Sequence, residues 1–322
     1  MNRDEYIMSR LLEHYQQIKD KYEVVGIFIQ GSQNYNLDIY DEDYKSDIDT
    51  KAIVLPSFDD IISNKDPVST TLVLDNNEHI DVKDIRIMFN TFLKQNINFI
   101  EILFTKYKIM NPKYKELFNP MFINREKIAH YDINKALNCQ CGMSQEKYVA
   151  LKHPYPTIKD KIDKYGYDPK QLHHIIRMND FIKKYVKGVS YEQCLIPDDP
   201  QELIDIKKGI YPLHEAEIKA QLVNKDTYEI AKANISEDNK RDEEVIEILN
   251  KVKENILKKR FKEELIDKEY ENYLIKEIKE CEQLLEQEDE DDYYNQSIEA
   301  RKVALCDALR EYRIKDYYEK KE

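Results

Sequence analysis

The chain has 322 residues, of which 35% are charged and 41% hydrophobic, and its formal net charge is −13. That length suits more than one domain and a sizeable core, while the acidic balance argues against a surface that grips nucleic-acid backbone all over. No stretch reaches the roughly eighteen apolar residues of a membrane helix, the start MNRDEYIMSRLLEHYQQ lacks the apolar centre of a secretory signal, and five scattered cysteines argue against a disulfide framework, so a cytoplasmic protein without a membrane segment is expected.

Residues 1–21 read as an amphipathic helix. Ile7, Leu11, His14 or Tyr15, and Ile18 recur at helical spacing, with His14 flanking that core. Residues 24–30 are β-branched and aromatic and read as a strand. Gly31-Ser32 follows at once. A glycine there lets a ligand approach the backbone, and a helical turn over 32–36 would aim free N–H groups at a phosphate. Residues 47–55 read as a second strand, ended by Pro56. Within it Asp47 and Asp49 would share a face while Ile48 points to the core. Two adjacent carboxylates repel unless a cation lies between them, and a hard divalent ion such as Mg²⁺ meets that need. Residues 70–74 read as a third strand, Asp75-Asn76-Asn77 as a turn, and 78–83 as a fourth strand bearing Asp81.

Gly31-Ser32-Gln33-Asn34-Tyr35-Asn36-Leu37, followed after a polar spacer by Ser46-Asp47-Ile48-Asp49 and later by a single Asp81, resembles the DNA polymerase β nucleotidyltransferase superfamily. Within it, the chain is most similar to the stand-alone bacterial and phage nucleotidyltransferases, including those associated with RNA repair. That family usually carries Gly where this chain has Asn36, and Asn is one of the few residues that tolerate positive φ. The 14 residues between Ser32 and Asp47 are at the long end for the superfamily. The resemblance implies an α+β fold, with a nucleotidyltransferase-type mixed sheet flanked by helices and followed by a helical domain. It implies that Asp81 sits beside the Asp47/Asp49 strand. It further implies that Asp47, Asp49 and Asp81 hold Mg²⁺, as two ions, and that Gly31 and Ser32 bind the phosphates of an NTP.

From Asp84 the apolar period becomes helical through Ile85, Met88, Phe89, Phe92 and Leu93. The run Asn98-Phe99-Ile100-Glu101-Ile102-Leu103-Phe104 is again similar to the family. The sequence favours a helix-end or surface role for Glu101 over a buried, orienting one. Residues 112–135 read as helical. Cys139-Gln140-Cys141 has no second Cys/His pair at useful spacing, so core packing is favoured over zinc.

Between residues 127 and 190, twelve Lys/Arg stand against six Asp/Glu. There, Gly166-Tyr167-Asp168-Pro169-Lys170 and the following Leu172-His173-His174-Ile175-Ile176-Arg177 resemble a family helix. Asp168 suits its cap and Pro169 its first position. Lys170, His174 and Arg177 fall on one face, which the resemblance places across the cleft on the β- and γ-phosphates. Lys207 and Lys208 either touch phosphate or end a helix. Beyond residue 260 the resemblance stops. A highly charged helical stretch follows, interrupted at 286–292, where six of seven residues are acidic.

The expected organisation is a catalytic domain over 1–110, a helical domain over 111–260 that closes the NTP cleft, and a charged helical extension over 261–322. The expected activity is Mg²⁺-dependent transfer of NMP from NTP to a hydroxyl. An RNA or tRNA end is the first-choice acceptor, with a protein or a small molecule as alternatives. A different class of reading is a nucleotide-binding module without chemistry; the presence of all three carboxylates argues against it.

Overall fold

The computed structural model describes every residue except 1, 43, 156–157, 240, 287–291 and 320–322. Five strands form one sheet: β1 (Glu23–Gln30), β2 (Asp49–Leu55), β3 (Ser69–Val73), β4 (His79–Asp84) and β5 (Lys108–Met110). Their order is β3-β4-β2-β1-β5. β2 and β4 run parallel and the other neighbours antiparallel, so the sheet is mixed. Among the described residues the rest is mostly helical, which makes the fold α+β as expected. β5 was not foreseen: a three-residue, half-buried strand carries no readable alternation.

One sheet face is covered by the helix Arg3–Ile18, whose Ile7, Leu11 and Ile18 pack on Ile27, Ile29, Ala52, Val54 and Val82. Each such side chain contributes about 1.5–3 kcal/mol through burial. His14 is fully buried within this layer, 3.0 Å from Thr50 Oγ1 and 3.0 Å from Glu78 Oε2. The opposite face carries Val25, Phe28, Ile53 and Leu55, and these pack with residues from 85 to 256 in one continuous core. The sheet and the helical body therefore share a core across residue 110. The helix Glu243–Glu286 runs unbroken through residue 260, and a last helix spans Asp292–Glu319. Most of the acidic run at 286–292 lies outside the described residues.

Two local corrections bear on the site. β2 begins at Asp49 rather than at 47. The main chain just before it is held by side chains instead of a ladder: Gln33 Nε2 donates to the Asp47 carbonyl (2.8 Å) and the Ile48 N–H donates to Glu78 Oε1 (3.3 Å). The turn after Gly31 is a short 3₁₀ helix, Ser32–Tyr35, closed by Asn36 at φ 58°. Asn36 thus occupies the left-handed region, which asparagine is one of the few residues to tolerate.

Candidate active site

Asp49 opens β2 and, with Lys51, faces the helical body. Asp47 precedes it with its side chain 54% exposed, against 31% for Asp49. Asp49 Oδ1 accepts the His79 N–H at 2.9 Å and lies 3.2 Å from His79 Nδ1. Opposite stands the helix Pro169–Tyr185. Asp168 caps it by accepting the Lys170 N–H at 3.0 Å, and Pro169 occupies the first helical position. This helix aims Lys170, His173, His174 and Arg177 at a cleft of about 440 Å³. The same cleft is lined by Gly31, Ser32, Gln33, Tyr35, Asp47 and Asp49. Lys170 Nζ lies 3.8 Å from Asp47 Oδ2 and bridges the two walls.

The helical wall concentrates positive charge. Lys207 enters from the end of the helix Pro200–Lys207, is buried, and donates through Nζ to the Leu37 carbonyl (2.6 Å). Burial, with Lys170 and Arg177 nearby, pushes its ammonium down to about 7. Burial first, and the neighbouring cations second, hold His173 and His174 well below the ordinary imidazole range. Burial also lowers Arg177, whose guanidinium stacks over the Tyr35 ring at 4.2 Å. Groups shifted in this direction are starved of counter-charge, so an anion bound here gains affinity from each of them.

Unsatisfied polar atoms mark the same place. Ten buried side-chain atoms lack a hydrogen-bond partner among the described residues, and five of them belong to cleft residues: Gln33 Oε1, Tyr35 OH, Glu101 Oε2, His174 Nδ1 and Arg177 Nε. Buried polar atoms are ordinarily paired. Their clustering along one cleft is what a polar ligand would satisfy.

Three expected roles look different in the structure. Glu101 is buried, not at the surface. Its Oε1 accepts the Gly31 N–H (3.1 Å), and burial raises its carboxyl to about 8 although Arg177 opposes the shift. Gly31 therefore spends its own N–H inside the protein. Its contribution is space: at φ 91° a Cβ would point into a volume with nothing within 4 Å. Asp81 lies on the strand next to β2, as expected, but parallel register pairs it with Lys51. Its oxygens lie 2.8 Å from Lys51 Nζ and 3.2 Å from Lys83 Nζ, and it does not line the cleft.

Comparison with known proteins adds little. No family model matches the chain, and no curated protein matches it. A solved structure of a nucleotidyltransferase-like protein from Exiguobacterium sibiricum 255-15 is 12% identical. The match covers 70% of this chain and 75% of that one, with a TM-score of 0.27. At that TM-score the two folds overlap too loosely to bear on the site.

Asp47 and Asp49 fit a hard divalent cation: two carboxylates, reachable from the cleft, facing a wall of cationic side chains. Asp81 does not extend this set while two lysines hold it. Among the described residues no group of three or more His, Cys, Asp or Glu is placed to hold an ion. The cysteine pair Cys139 and Cys141 sits on the helix Ile133–Ala150, both half-buried, and belongs to no such group.

Sequence reasoning did not single out Gln33 or Lys51. For Lys51 a signal existed, since it shares a strand face with Asp49. For Gln33 none did: an amide in a polar turn looks like any other.

Proposed function

We propose that the cleft binds a nucleoside triphosphate and that the chain transfers NMP from it to a hydroxyl acceptor, releasing pyrophosphate. The observation that carries this reading is the division of the cleft. One wall presents two reachable carboxylates, and the other presents Lys170, His174, Arg177 and Lys207 with orphaned polar atoms between them.

Asp47 and Asp49 would hold Mg²⁺, which when bound neutralises phosphate charge at the reacting phosphorus. Gly31 leaves room for the phosphates, and the Ser32 hydroxyl lines the same space and can donate to one of them. Arg177, clamped on Tyr35, and Lys207, anchored on Leu37, present fixed positive charge to the β- and γ-phosphates and to the departing pyrophosphate. Their positions are set before the ligand arrives, so little reorganisation is needed. Asp81 enters through Lys51, which it fixes on the cleft face beside Asp49. The acceptor hydroxyl approaches from the open side of Asp47. An RNA or tRNA end remains the first choice, supported by the basic stretch over 127–190; a protein or small-molecule hydroxyl is the alternative.

The test is incubation of the purified protein with each α-³²P-labelled NTP, Mg²⁺ and total cellular RNA, resolved with and without nuclease and protease. Nuclease-sensitive label is expected. Label sensitive only to protease would move the acceptor to protein. Absence of label from every nucleotide, with no binding of any NTP, would remove the proposal.

A further inference from the structure

Gln33 is 3% exposed, yet it lines the cleft. Its amide orientation is fixed by its partners. Nε2 donates to the Asp47 carbonyl at 2.8 Å and to Tyr40 OH at 3.0 Å. A main-chain carbonyl only accepts, so the nitrogen must be on that side and Oε1 on the other. Oε1 is buried and has no partner among the described residues. The Gln33 main chain is fixed too, because Arg3 donates to its carbonyl at 3.1 Å while a second Arg3 nitrogen holds Asp38. A rigid, buried acceptor therefore waits at the cleft wall. Phosphate cannot satisfy it, because phosphate oxygens at neutral pH also accept. What would satisfy it is an O–H or N–H donor, which a nucleoside carries and its ionised phosphates do not.

The position narrows the choice. Gln33 directly follows Ser32 at the phosphate end, and its amide is tied to the main chain of Asp47, the proposed metal ligand. In the nucleotide reading the α-phosphate would lie at that metal, with the sugar the next group along the nucleotide. We infer that Gln33 Oε1 accepts a hydrogen bond from a ribose hydroxyl and makes the site selective for ribonucleoside over deoxyribonucleoside triphosphates. This inference rests on the nucleotide reading above. A site built to pair with a hydroxyl rejects the analogue that lacks it, because its own buried acceptor is then left unmet.

The experiment is calorimetric binding of ATP, 2′-deoxy-ATP, 3′-deoxy-ATP, CTP and UTP, with Mg²⁺ and no acceptor, to the wild-type chain and to Gln33→Leu. Inorganic triphosphate serves as the control ligand. The wild type is expected to bind ATP about ten- to a hundredfold more tightly than one of the two deoxy forms. Gln33→Leu is expected to lose that preference; because it also releases the Asp47 carbonyl, inorganic triphosphate reports any general loosening, and the sugar preference is read as the ratio of affinities within each protein. Equal wild-type affinity for all three adenosine nucleotides would overturn the inference without touching the nucleotide site. So would a preference for CTP, which carries an exocyclic amine, over UTP with none between sugars, since the donor would then be on the base. A preference that survives in Gln33→Leu would also overturn it. If Gln33→Leu does not fold, Gln33→Asn, which draws the amide oxygen back by one methylene, takes its place with the same expectation. Failure to bind any nucleotide would remove both readings together.

Discussion

Replacing Glu101 by Gln should make the protein more stable at neutral pH and change little in acid. Glu101 is fully buried, and its carboxyl is raised from the ordinary 4.5 to about 8. Below pH 4.5 both folded and unfolded chains carry the proton. Between 4.5 and 8 the unfolded chain releases it and the folded chain keeps it, so folding stability falls as pH rises through that window. Each unit is worth about 1.4 kcal/mol, which puts the loss by pH 7 at roughly 3 kcal/mol. Arg177 works against this, but it forms no ion pair with Glu101 within 4 Å among the described residues, and desolvation is the larger effect. A glutamine keeps an oxygen for the Gly31 N–H and has no charge to bury. Urea unfolding at pH 5 and pH 7, with matched slopes, is the assay. Glu101→Gln is expected to gain about 2–3 kcal/mol on the wild type at pH 7 and less than about 1 kcal/mol at pH 5. A variant less stable than the wild type at pH 7 would refute the reasoning. It would mean that an ionised Glu101 is held by Arg177 and that charge pairing, not burial, governs the site.

Asp47→Asn with Asp49→Asn should abolish label transfer and leave the melting transition unchanged or higher, because the change relieves like-charge repulsion and the amide placed at position 49 still offers an oxygen to the His79 N–H. An unfolded double variant would make these carboxylates structural. Asp81→Asn should reduce transfer only about tenfold, because it loosens Lys51 without removing a cleft carboxylate; loss as complete as in the Asp47/Asp49 variant would restore it as a direct ligand or base. Inorganic triphosphate should bind the wild type less tightly as pH rises from 7 to 9, because Lys207 loses its proton through that range, and Lys207→Met should bind more weakly at pH 7 with a flatter profile. Equal slopes in calorimetric titrations would place Lys207 outside the anion site.

The strand, turn and carboxylate order of the first 84 residues was readable because each step is local. Short β-branched and apolar runs mark the strands, Gly31 and Asn36 mark the turn, and Asp168-Pro169 marks a helix start. What escaped depends on contacts between distant segments. The partner of Asp81 is set by a parallel register between β2 and β4, and no pattern within either strand reveals that Lys51 will stand opposite it. Glu101 looked like a helix-end residue, and it does follow directly on the helix Ile97–Ile100. Its burial comes from what packs over that end. Lys207 was left between two roles because its position depends on a meeting with Leu37, 170 residues earlier. Asp47 seemed part of a strand by periodicity, but side chains took its hydrogen bonds before the sheet could.

The helix Glu243–Glu286 acts as a splint. At one end Val245 and Leu249 lie in the core of the helical body, and Glu244 holds Lys127 at 2.6 Å. Farther along, Phe261 meets Phe58 at 5.8 Å between ring centroids, Glu264 accepts the Phe58 N–H at 3.1 Å, and Lys268 reaches Asp59 at 2.8 Å. Phe58 and Asp59 belong to the short helix that follows β2, the strand opened by Asp49. The two cleft walls, which already share a core, are thus braced from behind by one further rod. A protease cut or a stop near residue 260 would leave every cleft side chain and the shared core in place and remove only this outer brace. The tail therefore stiffens the back of a cleft it never lines, and its loss would be read first as a lower melting temperature of the segment around Phe58.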